Sequence, residues 1–127
     1  MLKRMLVPAV ALSLCGLSHA ALADTPTKAV ATALGPTLAD GRGMTLYTFD
    51  KDANGQSVCN DQCAQNWPPF MAPANAKEEN GYSVVIRQDG SHQWAYQGKP
   101  LYTWVKDTKP GDTTGDGVNQ VWHVAKP

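Results

Sequence analysis

Leu46-Tyr47-Thr48-Phe49-Asp50-Lys51-Asp52 and Leu101-Tyr102-Thr103-Trp104-Val105-Lys106-Asp107 are one segment written twice, at a constant offset of 55 residues. The register persists on both sides: Gly43 falls on Gly98, Asp61 on Asp116, Gln65 on Gln120 and Trp67 on Trp122. So many matches at one offset point to a duplicated supersecondary unit, whose two copies would bury their apolar faces against each other about a pseudo-twofold axis. Each copy of the segment alternates like a strand. Leu46, Thr48 and Asp50 share one face and Tyr47 and Phe49 the other, with the same division of Leu101, Thr103 and Val105 against Tyr102 and Trp104. The fold class that follows is mainly β: a small single domain of short antiparallel strands from two pseudo-symmetric repeats, with one short helical segment at Cys59–Asn66.

Outward from the duplicated segment the chain turns polar, at Asp52-Ala53-Asn54-Gly55 in the first copy and Thr108-Lys109-Pro110-Gly111-Asp112 in the second. Each unit then closes on a tryptophan, Trp67 or Trp122. Between the copies lie Pro68-Pro69, a loop from Ala72 to Gly81, the β-rich run Tyr82–Arg87, the turn Gln88-Asp89-Gly90 and the run Gln93-Trp94-Ala95-Tyr96. An Asp-Gly turn flanked by strand-like runs predicts a hairpin. Val121-Trp122-His123-Val124 reads as a last strand. The expected layout is repeat 1 at about residues 39–72 and repeat 2 at about 94–127, within a domain spanning 37–127. Residues 24–36, with two prolines among Thr, Ala and Lys, read as a flexible leader.

At the start of the chain, Lys3 and Arg4 precede an apolar run from Met5 to Leu17 and the small-residue stretch Ser18-His19-Ala20-Ala21-Leu22-Ala23. That order is a secretory signal peptide over residues 1–23, with cleavage expected after the Ala21-Leu22-Ala23 pattern. The run is too short for a permanent membrane span. Leu12-Ser13-Leu14-Cys15 approaches a lipoprotein box, but Leu14 stands where a small residue belongs, so a lipid anchor at Cys15 is not the expected outcome. The expected localisation is therefore periplasmic or secreted, with no transmembrane helix in the mature form. Removing residues 1–23 leaves 104 residues, enough for one compact domain. Their 9 basic and 11 acidic side chains leave no basic stripe of the kind nucleic acid requires.

These residues resemble the bacterial secreted-repeat family described as predicted lipoproteins with a Y-x-[FWY]-x-x-D motif. Tyr47-x-Phe49-x-x-Asp52 and Tyr102-x-Trp104-x-x-Asp107 are two instances of it. The resemblance runs from about Pro36 to Pro127 and includes Cys59-x-x-x-Cys63, Asn66-Trp67-Pro68-Pro69 and Gln93-Trp94-Ala95-Tyr96. It implies export and this repeated domain; the family carries no established activity.

Three constellations could carry chemistry. The aromatic and acidic motif residues Tyr47, Phe49, Asp52, Trp67, Trp94, Tyr96, Tyr102, Trp104, Asp107 and Trp122 could form a binding surface; alternatively they hold the fold together, with Tyr hydroxyls bonded and Asp capping turns. Asp50-x-Asp52-x-Asn54-Gly55, with Asp61 twelfth, has calcium-loop spacing but ends on Asp where a bidentate Glu belongs, so an ordinary solvated turn is expected. Cys59 and Cys63, the two cysteines left after processing, read as a disulfide. Helical positions four apart hold their Cβ atoms wider than a disulfide wants, so the bridge needs a distorted or non-helical turn. The same pair, with His123, His92, Met44 or Met71, is the alternative metal-handling or electron-transfer centre. No enzyme motif or cofactor signature stands in the chain. The expected function is a non-enzymatic domain binding an unknown envelope ligand or protein; a metal-handling protein and a purely structural envelope component are the other readings.

Overall fold

The computed structural model describes residues 25–127. The expected signal peptide, its expected cleavage site and Cys15 lie outside the described residues. The chain forms β1 (Lys28–Thr32), β2 (Gly35–Ala39), β3 (Tyr47–Phe49), α1 (Gln62–Asn66), β4 (Tyr82–Ile86), β5 (His92–Tyr96), β6 (Lys99–Pro100) and β7 (Trp122–Val124), with a 3-10 turn at Val118–Gln120 before β7. The domain is thus mainly β, in small antiparallel sheets with one short helix. Among the described residues no helix is long and apolar enough to cross a membrane.

Residues 28–36 are not a flexible leader. β1 and β2 pair from Lys28–Ala39 to Thr32–Gly35, and Thr37, Leu38 and Ala39 are buried. Low strand propensity and Pro36 hid this hairpin in the sequence, and tertiary packing overrides them. The second hairpin is the expected one: β4 and β5 pair from Tyr82–Tyr96 to Ile86–His92. Its turn has Gly90 at φ 87, and Asp89 accepts from the Ser91 backbone. That left-handed residue is what the glycine supplies.

Equivalent hydrogen bonds make the pseudo-symmetry concrete. In the first copy the Leu38 amide donates to Ala125, Ala125 to Leu46 and Leu46 to Leu38; in the second, Trp94 donates to Phe70, Phe70 to Leu101 and Leu101 to Trp94. Each cycle therefore borrows one residue from the other copy's closing segment. On the axis between them, Tyr47 and Tyr102 exchange backbone bonds, N–H to O at 2.8 Å one way and 3.0 Å the other.

β3 of the first repeat pairs with β7 of the second. In exchange, the Tyr102 segment pairs with the end of the first repeat, through a bridge to Pro69 and a bond from the Thr103 amide to the Pro68 carbonyl. The strand expected at residues 101–105 is thereby reduced to a single bridge residue. Pro68 and Pro69 stand where β7 has His123 and Val124, and proline has no N–H to donate to a ladder.

Two cores result. An aliphatic one gathers Leu38, Leu46, Leu101 and Ala125 with Tyr82 and Trp94; an aromatic one gathers Tyr47, Tyr102, Trp67, Trp122 and Cys59. Gly115 sits against the aromatic core so closely that a Cβ there would lie 2.9 Å from Trp67 Cη2 and from Tyr47 Cε2 and Cζ. Those rings are buried and cannot swing away. Gly115→Ala is expected to lower stability by about 1–3 kcal/mol, the usual cost of overpacking, measured by urea denaturation; an unchanged midpoint would show the rings to be free to shift.

Candidate functional site

The motif tyrosines and aspartates form two crossed locks. Tyr47 Oη donates to Asp107 Oδ2 at 2.7 Å, and Tyr102 Oη donates to Asp52 Oδ2 at 2.6 Å. Each tyrosine thus reaches the aspartate of the other copy, not its own. The second carboxylate oxygens fasten the following turns: Asp107 Oδ1 accepts from the Thr114 amide and hydroxyl, and Asp52 Oδ1 from the Val58 amide. Burial, and next the hydrogen bond to Asp107, holds the Tyr47 hydroxyl well above the usual phenol range; burial and then Asp52 do the same for Tyr102. Burial also raises the Asp52 carboxyl, against the opposing pull of the Tyr102 hydrogen bond, the Val58 amide and the Arg87 charge.

Four rings of the motif stack into one column. Phe49 lies on Trp122 with centroids 4.1 Å apart, Trp122 on Trp67 at 3.8 Å, and Trp67 on Trp104 at 3.9 Å. The interplanar angles are 10°, 2° and 23°. Rings this parallel and this close must occupy opposite faces of each central tryptophan. The column alternates repeats, first, second, first, second, so its midpoint lies between the equivalent residues Trp67 and Trp122. Tyr47 abuts Trp67 edge-on at 5.4 Å and Tyr102 abuts Trp122 at 5.1 Å. These two edge-on contacts have the T-shaped geometry that aromatic quadrupoles favour.

The expected aromatic surface is therefore mostly interior. Tyr47 and Tyr102 are 0 % exposed, and Trp67, Trp122 and Trp94 are buried as well. Phe49, Trp104 and Tyr96 remain half-buried. Asp107 is buried and Asp52 half-buried. Beside the column lies a cleft of about 470 Å³ bounded by Phe49, Trp67 and Trp122, by Cys63 and Val121, and at its rim by Lys51, Gln62, Asn66 and Asn119.

The bridge joins Cys59 to Cys63 with Cα atoms 5.2 Å apart. The helix starts only at Gln62, after Asp61 at φ 54 and ψ −123, so Cys59 lies outside it. That irregular turn is the distortion the spacing demanded. In the first copy the cysteine segment is clamped by a residue whose role the sequence hid. Arg87 is 6 % exposed and donates to the Cys59 carbonyl at 2.7 Å, Gln93 Oε1 at 2.8 Å, Ser57 Oγ at 2.9 Å and Asn60 Oδ1 at 3.2 Å. Read in sequence it is the last residue of a strand; only its buried contacts reveal it.

The calcium-type candidates do not converge. Asp50 faces outward and meets His123 Nε2 at 2.8 Å, Asp52 points inward to Tyr102, Asn54 sits in the turn at φ 58, and Asp61 caps α1 without a side-chain bond. The thiols of Cys59 and Cys63 are tied up in the bridge, and exposed His123 is engaged with Asp50. Among the described residues no group of three or more His, Cys, Asp or Glu side chains is placed to hold a metal ion. His92 and Met71 lie on or beside β5, and Met44 accepts at its carbonyl from the Asp40 amide, away from the cysteines in sequence and pairing.

No curated protein and no solved structure matches the chain. A family of secreted repeats of unknown function matches twice, over residues 28–71 and 83–126. The two matches stand at the same offset of 55 residues as the motif, and each begins eleven residues earlier than the sequence alone suggested. The reason is structural: the unit includes the hairpin ahead of the motif, β1–β2 in one copy and β4–β5 in the other. Two matched copies that lock through each other's tyrosines, aspartates and tryptophans place this chain in the family of secreted repeats of unknown function.

Proposed function

We propose that the chain is exported, loses residues 1–23 after Ala23, and works in the periplasm or at the surface as a non-enzymatic binding domain. The reading rests on one observation: a cleft in which half-buried Phe49, held against the stacked column, stands among amides and one amine, Gln62, Asn66, Asn119 and Lys51. Rigid aromatic area costs little ordering on association, and rim amides supply directional hydrogen bonds. That combination suits a ligand with an apolar face and polar edges, such as a sugar ring or a peptide side-chain ring of the envelope. The motif's buried polar groups support the non-catalytic part of the proposal, because Tyr47, Tyr102, Asp52 and Asp107 are spent on each other.

Titration of the mature protein with envelope glycan fragments and with aromatic or proline-bearing peptides, followed by tryptophan fluorescence, tests the site. Saturable binding that weakens at least tenfold in Gln62→Ala and Lys51→Ala, two exposed rim changes outside the column, is the expected result. Turnover of any such compound by the protein alone would overturn the non-enzymatic reading, and binding indifferent to both rim changes would move the site elsewhere. The absence of binding to either class would leave the purely structural role as the better account.

A further inference from the structure

The two sulfurs of the bridge are placed unequally. Cys59 is 0 % exposed, whereas Cys63 is half-buried and borders the cleft beside Phe49, Trp67 and Trp122. Solvent is excluded from Cys59 altogether and from Cys63 only in part. Behind Cys59 stands the Arg87 guanidinium, buried, bonded to four neutral oxygens, and in none of the ion pairs among the described residues. Asp52 feels its charge without pairing with it. A buried cation without a paired carboxylate beside a buried cysteine favours the thiolate there, because a nearby guanidinium offsets the desolvation of the anion.

The bridge is also a weak staple. A loop closed by residues four apart removes little chain entropy from the unfolded state. The second copy builds the same unit with Thr114 and Val118 in place of the two cysteines.

We propose that Cys59–Cys63 is an exchangeable disulfide that takes two electrons from a dithiol docked in the cleft, with Cys63 the attacked sulfur and Cys59, whose carbonyl is bonded by Arg87, the leaving group. The dithiol's first thiolate bonds to Cys63 Sγ, and the S–S bond breaks with its electron pair on Cys59 Sγ. The second thiol, as thiolate, displaces Cys63 Sγ. The dithiol ends as a disulfide, and its two electrons and two protons reside on Cys59 and Cys63. Arg87 is a positioning residue: it touches Cys59 and not the incoming sulfur.

The exchange uses the same cleft as the proposed binding site, and glutathione as the probe keeps its failure distinguishable from a failure to bind glycans or peptides. The oxidised protein is equilibrated in glutathione redox buffers, quenched with acid, alkylated and weighed, with near-ultraviolet circular dichroism reporting the tryptophan column. Reduction at millimolar glutathione with the aromatic signal intact is expected, since a structural disulfide resists that couple. Arg87→Gln is expected to require at least tenfold more reductant at half-reduction, and Arg87→Lys to recover part of the difference. With glutathione disulfide, Cys59→Ala is expected to trap a mixed disulfide at Cys63 at least 100-fold faster than Cys63→Ala traps one at Cys59. Reduction that occurs only together with unfolding, or equal reactivity of the two single thiols, overturns the proposal. Should Arg87→Gln fail to fold, those two measurements still decide it.

Discussion

Trp122→Ala is expected to remove about 3–5 kcal/mol, the usual cost of deleting a buried tryptophan, and so to consume most of the stability of a domain this small. Trp122 has a ring against each of its faces, Phe49 and Trp67, and Tyr102 against its edge. Removing it opens a gap in the middle of the column, between Phe49 and Trp67. Trp67→Ala should cost as much, because Trp67 is flanked in the same way by Trp122, Trp104 and Tyr47. Trp104→Ala should cost less, since it ends the column, is half-buried and has one stacked partner. Urea midpoints for the three variants check the order. Equal losses at Trp104 and Trp122 would mean that the column is not a connected unit but four separately buried rings.

The duplication and the strand character of the motif were legible because gene duplication leaves the same residue types at the same spacing, and alternation survives it. The pairing was not. Tyr47 stands five residues from Asp52 and sixty from Asp107, and nothing in the spacing says that its hydroxyl goes to the distant one. Both copies carry the motif identically, so an internal lock and a crossed lock have one sequence signature. The same ambiguity hid the orientation of the tryptophans: a Trp can be a binding platform or a core ring, and only the facing residues of the other repeat decide. The hairpin of β1 and β2 was obscured for a different reason, since the Ala, Gly and Pro residues of that stretch disfavour a strand by themselves and are held by the burial of Thr37, Leu38 and Ala39. Arg87 gave no hint, because a charged residue at a strand end normally faces water.

Crossing also explains why the unit occurs as a pair. A single repeat would leave a motif tyrosine without its carboxylate, a strand without its partner and half of a ring column open to water. What the two copies do not share, the cysteines, Arg87 and the rim amides Gln62, Asn66 and Asn119, is free of that constraint. Symmetry accounts for the scaffold and asymmetry marks the place where a function can be added.

Alkaline pH should dismantle the crossed locks in a way that counts the tyrosines. In the folded protein, burial and the facing carboxylates hold the Tyr47 and Tyr102 hydroxyls well above the usual phenol range, whereas in the unfolded chain both ionise near pH 10. A raised folded value means that the locks' contribution is fully present below about pH 10. Above it the unfolded chain releases two protons that the folded chain retains. Stability then falls by about 1.4 kcal/mol per pH unit for each tyrosine, and by about twice that for the pair. Urea denaturation between about pH 10 and 12 should show that slope. Tyr47→Phe or Tyr102→Phe should each reduce it by one proton's worth, apart from the about 1–3 kcal/mol lost at neutral pH when the facing carboxylate loses its donor. A slope that persists undiminished in both lock variants would place the alkaline sensitivity elsewhere, and the hydroxyl–carboxylate pairs would then not be what ties one repeat to the other.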